Sequence, residues 1–123
     1  MSANKRVLIV DDEFLIVMGL SLQVEDMGLE VCGTAGTAEE AIALATEHRP
    51  HLVLMDVRLQ GDRDGVDAAL AIHEKVDSKM IFITGSREPA THSRIMTAHP
   101  SAVLFKPISD AQFRATIEKV RLT

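Results

Sequence analysis

Val7-Leu8-Ile9-Val10-Asp11-Asp12-Glu13 is a short unbroken apolar run that ends abruptly in acid. The pattern returns at Leu52-Val53-Leu54-Met55-Asp56. Runs of this length without polar alternation read as strands buried on both faces, as in a parallel sheet covered by helices on each side. A carboxylate directly after such a strand emerges at the C-terminal sheet edge, where open α/β folds bind ligands. Asp11, Asp12 and Asp56 would therefore share one edge. Carboxylates gathered there repel one another, and a cation is the usual reason to tolerate that.

Outward from these runs the chain alternates apolar stretches with amphipathic ones. Strands are predicted at Arg6–Val10, Glu30–Ala35, Leu52–Asp56, Met80–Thr84 and Ala102–Phe105. Helices are predicted at Phe14–Met27, Ala38–His48, Gly65–Val76, Glu88–Ala98 and Asp110–Leu122. Thr37 with Glu40, and Ser109 with Gln112, have the spacing of capping boxes, and Gly28 sits where a helix C-cap belongs. Ile16, Leu20, Val24 and Met27 form the expected core stripe of the first helix, and Phe113, Ile117 and Val120 that of the last. The fourth helix is the weakest, diluted by Pro89, Thr91, Ser93 and Thr97 and stopped by Pro100. Strand-helix alternation with short connections predicts a flavodoxin-like (βα)5 three-layer sandwich, its parallel sheet ordered 2-1-3-4-5. The first and third strands are then neighbours, and the acids face one another between them.

The 123 residues show no linker, repeat or low-complexity tract, so one domain over 1–123 is expected. The net charge of −5 argues against direct nucleic-acid binding. Cys32 is the only cysteine, which excludes an internal disulfide and suits a small buried hydrophobe. No apolar run approaches the roughly 18 residues of a membrane span, and nothing before Val7 resembles a signal region. A cytoplasmic location is expected. The histidines (His48, His51, His73, His92, His99) lack metal-ligand spacing and suit surface roles.

Thr84 ends the fourth strand, and Lys106-Pro107 ends the fifth. The same edge thus gathers a hydroxyl and an ammonium beside the carboxylates. Alone, an acidic pair after a strand is often a helix N-terminus, and a lone lysine a solvated charge. Together they carry a resemblance. VLIVDDE (7–13), LVLMDVRL (52–59), IFITGS (81–86) and LFKPIS (104–109), in this order and covering the chain, resemble the receiver domains of bacterial two-component response regulators, of the chemotaxis-regulator type.

The resemblance implies a phosphoacceptor module acting on itself, not an enzyme with an outside substrate. Asp56 would take a phosphoryl group from a phosphohistidine on a sensor histidine kinase or phosphotransfer protein. Mg²⁺ would be held by Asp12 directly, by Asp11 mainly through a water, by one Asp56 oxygen and by the backbone carbonyl of Arg58. Lys106 and Thr84 would contact the phosphoryl oxygens with a backbone N–H near Val57, and the Lys106–Pro107 bond would be cis. Drawing Thr84 inward would move the following loop and alter the face of the fourth helix, fifth strand and fifth helix, which a downstream protein reads.

The chain departs from that family at several points. The aromatic residue expected three positions before the lysine is Val103, so the switch must use another device, such as backbone freedom at Gly85. The loop from Val57 to Gly65 lacks the proline common there and looks one residue longer. Arg58 and Ser86 occupy positions that tune dephosphorylation. Glu13 could join the metal site or serve the helix N-terminus, and Asp62 with Asp64 reads as a solvated turn. The first helix has an apolar surplus in Phe14, Leu15, Val17, Met18 and Leu22. Leu15, Met18 and Leu22 are expected to form a face for kinase docking or for self-association as a homodimer. Partial burial against neighbouring loops is the equal alternative. Competing functions are a Mg²⁺-dependent phosphohydrolase with its nucleophile near the first strand, a flavodoxin-type binding module, and a receiver cut from a longer regulator.

Overall fold

Strands β1 (Arg6–Val10), β2 (Glu30–Ala35), β3 (Leu52–Asp56), β4 (Lys79–Thr84) and β5 (Ala102–Phe105) pair in parallel in the order β2-β1-β3-β4-β5. They alternate with helices α1 (Phe14–Asp26), α2 (Ala38–His48), α3 (Gly65–Lys75), α4 (Pro89–Met96) and α5 (Asp110–Arg121). This is the flavodoxin-like (βα)5 fold expected from the sequence. The computed structural model describes residues 5–121. The predicted last helical residue, Leu122, lies outside them. Among the described residues no helix is long and apolar enough to cross a membrane.

The apolar runs are unbroken because each strand feeds two cores. Successive side chains point to opposite faces of a sheet. Leu8, Val10, Val53, Met55 and Phe82 meet Ala38, Ala41 and Ala45 of α2 and Val66, Ala69 and Ile72 of α3. Val7, Ile9, Leu54, Ile81, Ile83 and Leu104 meet Leu20 and Val24 of α1 and Phe113, Ile117 and Val120 of α5. With both faces covered, only the strand ends are left to carry polar chemistry.

Element ends differ in detail from expectation. Helix α1 stops at Asp26, with Met27 as its cap and Gly28 at φ 81, the left-handed turn that suits glycine. Helix α3 ends at Lys75 because Val76 is extended, and β4 begins one residue early, at Lys79. Helix α4 is shorter than predicted. Glu88 is its extended cap, Pro89 starts it, and Met96 ends it. The Lys106–Pro107 bond is cis.

Three readings need correction. In α1 the core stripe runs through Val17 rather than Ile16. Val17 and Met27 pack partly buried against the α1–α5 core, while Ile16 is 37% exposed. Cys32 is half-buried, not enclosed; it lies where the β1–β2 register shifts, and burial pushes its thiol pKa up. At α2 the capping is offset. Thr37 Oγ1 accepts from the Glu40 N–H at 3.1 Å, but Glu40 Oε1 accepts from the Gly36 N–H at 3.1 Å, one residue before the cap. At α5, Ser109 Oγ accepts from the Gln112 N–H at 3.1 Å.

Candidate functional site

Val10 and Met55 are partners in the β1–β3 register, so the next residue of each chain segment places Asp11 beside Asp56. Asp12 completes the group, and one carboxylate oxygen from each of the three lies within 4.8 Å of the others. Asp11 and Asp56 are buried and Asp12 is exposed. Asp11 Oδ1 accepts from the Glu13 N–H at 2.9 Å, which fixes the carboxylate against the start of α1. Asp11 Oδ2 is buried and accepts no hydrogen bond among the described residues. A buried carboxylate oxygen left so is costly, and this donor set, all hard oxygens, fits a small divalent cation. Glu13 donates its backbone N–H to Asp11 and stands at the N-cap position of α1, its exposed side chain making no capping bond.

Lys106 reaches this group from the end of β5. Its Nζ lies 3.3 Å from Asp56 Oδ2 and 3.6 Å from Asp11 Oδ2. Burial alone would lower the lysine pKa, but Asp56 and Asp11 together hold it above the ordinary value. Asp56 is pushed up to about 6, by burial first and by the Asp11 charge second; Lys106 and the Arg58 backbone N–H only partly offset them. The Val57 N–H is already committed to the Ile83 carbonyl at 3.2 Å. The backbone donor at the Asp56 carboxylate is therefore that of Arg58.

Thr84, buried at the end of β4, accepts from the Ser86 N–H at 3.0 Å through Oγ1. A hydroxyl that accepts can still donate, so its O–H can serve an incoming oxygen. Gly85 follows with room for a side chain and no left-handed φ, so its conformation here does not demand glycine. Val103 is half-buried against the core on the α2–α3 face.

Two residues of the site escaped the sequence reading. Gly65 opens α3 against the end of β3, and its N–H donates to the Val57 carbonyl at 2.7 Å. A Cβ there would lie 2.0 Å from the Asp56 carbonyl oxygen. Asp64 is not part of a solvated turn. It caps α3 in a reciprocal box with Asp67, accepting from the Val66 and Asp67 N–H groups at 3.0 Å while Asp67 accepts from the Asp64 N–H. Arg94 of α4 pairs with Asp64 at 2.5 Å and with Asp67 at 3.4 Å. Burial opposes ionisation of Asp64, but the guanidinium and the Asp67 N–H outweigh it and hold the carboxyl below its usual range. The D-x-x-D spacing was the available signal, hidden in an acidic glycine-flanked loop.

The surplus apolar residues of α1 are not absorbed by loops. Leu15 is 80% exposed, Leu22 66% and Met18 47%. A groove lined by Leu15, Ile16, Gly19, Pro107 and Ile108 leads from this surface to Glu13 and Lys106 at the site.

The family model for the response regulator receiver domain matches residues 7–118. Among curated relatives, the transcriptional regulatory protein PdtaR of Mycobacterium tuberculosis is 39% identical over 114 residues, covering 93% of this chain and 55% of the relative. The phyllosphere-induced regulator PhyR of Methylorubrum extorquens is 35% identical over 117 residues, covering 92% of this chain and 42% of the relative. The chain thus spans about half the length of these relatives. A CheY-like receiver domain protein from Methanospirillum hungatei superposes with a TM-score of 0.89 at 29% identity, over 98% of this chain and 96% of that one.

Proposed function

The chain belongs to the response regulator receiver domain family, and we propose that it takes a phosphoryl group onto Asp56 from a phosphohistidine of a sensor histidine kinase or phosphotransfer protein. The observation that carries this reading is a buried carboxylate 3.3 Å from Lys106 Nζ, beside a buried Asp11 oxygen that accepts no hydrogen bond among the described residues. Asp11, Asp12, one Asp56 oxygen and the Arg58 carbonyl would hold Mg²⁺, which supplies charge neutralisation to the transferring group. The other Asp56 oxygen attacks phosphorus in line. The bond from phosphorus to the imidazole nitrogen breaks, and its electron pair leaves with the imidazole. Lys106 neutralises charge on the equatorial oxygens, and the Thr84 hydroxyl and the Arg58 N–H donate to them. Residues 1–123 are read as one receiver unit, alone or within a longer regulator, acting in the cytoplasm on its own phosphorylation state and signalling to a protein target.

Incubation with Mg²⁺ and acetyl phosphate, read by mass spectrometry, tests this. One phosphoryl group should appear and map to Asp56, and it should be absent in Asp56→Asn and in the presence of EDTA. Steady turnover of a phosphomonoester with nothing retained on Asp56 would favour the hydrolase reading instead.

The exposed Leu15, Met18 and Leu22 and the groove beside them are proposed to receive the helical bundle of the kinase. In phosphotransfer profiling against purified sensor kinases, Met18→Glu should slow transfer about tenfold, which needs a loss of only ~1.4 kcal/mol of docking energy. Its reaction with acetyl phosphate should be unchanged. Unchanged transfer from every kinase that phosphorylates the wild type would count against docking here. A drop in sedimenting mass would instead point to a second copy as the occupant.

A further inference from the structure

Arg87 lies in the loop between β4 and α4, and its guanidinium carbon sits 4.4 Å over the centre of the Phe105 ring. Phe105 is half-buried and stands directly in register with Thr84 across the β4–β5 pair. It follows Val103 by two residues, so both side chains project from the same face of β5. The aromatic ring missing at Val103 is thus supplied one pleat further along, level with the threonine. The intervening loop is tied to Thr84 by short polar bonds. Thr84 Oγ1 accepts from the Ser86 N–H at 3.0 Å, and Ser86 Oγ accepts from the Glu88 N–H at 3.2 Å, with Arg87 between them. Arg87 also lines the groove that holds Val57, Arg58 and Thr84.

We propose that the Arg87–Phe105 stack is the switch of this receiver: Arg87 covers Phe105 in the unmodified protein, and a phosphoryl group on Asp56 draws Thr84 and Arg87 toward it, opening the ring on the α4–β5 edge to a protein partner. This rests on the reading of Asp56 as phosphoacceptor. The direction follows from the competing interactions. A guanidinium on a partly exposed ring makes a weaker contact than a guanidinium hydrogen-bonded to phosphoryl oxygens, and arginine matches their geometry with two parallel donors. Phosphorylation places nearly two negative charges on Asp56, whose register partner Ile83 directly precedes Thr84 at the edge of the groove. Arg94, which lines the same groove, is already paired with Asp64 and Asp67, whereas Arg87 is stacked on a ring. The uncovered ring is a rigid aromatic anchor of the kind that dominates protein interfaces.

The chain has four phenylalanines and neither tyrosine nor tryptophan, so fluorophenylalanine labelling gives a simple ¹⁹F spectrum. Phe105→Leu assigns the Phe105 resonance. Mg²⁺ and beryllofluoride, a phosphoryl mimic, should move that resonance to the position it holds in Arg87→Ala without the mimic. Adding the mimic to Arg87→Ala should then move it little further. A Phe105 resonance that stays in place, or that moves opposite to the shift caused by Arg87→Ala, would overturn the switch. Acetyl phosphate labelling of the same samples separates the two readings. No phosphoryl group on Asp56 removes the acceptor assignment, whereas a phosphorylated protein with a stationary Phe105 removes the switch alone.

Discussion

Gly65→Ala is expected to destabilise the domain by about 3 kcal/mol, the upper end of ordinary overpacking, and to cut phosphoryl acceptance at Asp56 on the order of 100-fold. A Cβ at residue 65 would lie 2.0 Å from the Asp56 carbonyl oxygen, 2.9 Å from its carbonyl carbon and 3.0 Å from Met55 Cγ. The first two are backbone atoms, which cannot rotate away. Gly65 cannot retreat easily either, because its N–H is bonded to the Val57 carbonyl and the preceding residue is locked in the Asp64–Asp67 capping box. The end of β3 must yield, and that peptide carries Asp56, the proposed acceptor. Urea denaturation checks the stability loss, with Gly85→Ala as the control. A Cβ at Gly85 meets open space, so the control should stay within about 0.5 kcal/mol of wild type. Equal effects at the two glycines would refute the steric account.

What the sequence made legible follows from which interactions are local to the chain. An acid directly after Val7–Val10 or Leu52–Met55 must emerge at the sheet edge, because the preceding residues are buried on both faces. Lys106 and Thr84 were readable for the same reason. Gly65 was not, because its demand comes from a carbonyl of another segment that only the folded chain brings near. Along α1 and its cap, Leu20, Val24 and Met27 were placed on the core side as the structure has them, but Ile16 was taken for Val17 because both are apolar, and an apolar surplus leaves the periodicity ambiguous. Arg87 over Phe105 depends on the path of a loop, which no pattern of residue types specifies.

In metal-free buffer at pH 8, Asp56→Asn is expected to be more stable than wild type by about 3 kcal/mol, with the gap closing as pH falls toward 4. Burial, then the Asp11 charge, push Asp56 from an ordinary value of 3.8 up to about 6. That separation corresponds to about 3 kcal/mol between the folded and unfolded protein once Asp56 is ionised in both. The sign follows from proton binding. The folded state holds the proton more tightly, so ionisation disfavours folding. The penalty is complete above the folded value, shrinks between about 6 and 3.8, and vanishes where both states are protonated. Lys106, raised by Asp56 and Asp11, stays protonated across this range and adds no titration of its own; stabilisation from its raised value is lost only at higher pH, as the lysine itself deprotonates. Subtracting the two stability curves removes the five histidines, which both proteins share. A pH-independent difference between the variant and wild type would show that burial does not strain Asp56. Mg²⁺ should stabilise wild type more than Asp56→Asn at pH 8, because a cation offsets the repulsion among ionised carboxylates. Asp56, the proposed nucleophile, is thus ionised at pH 8 at a cost to folding that a bound cation would offset.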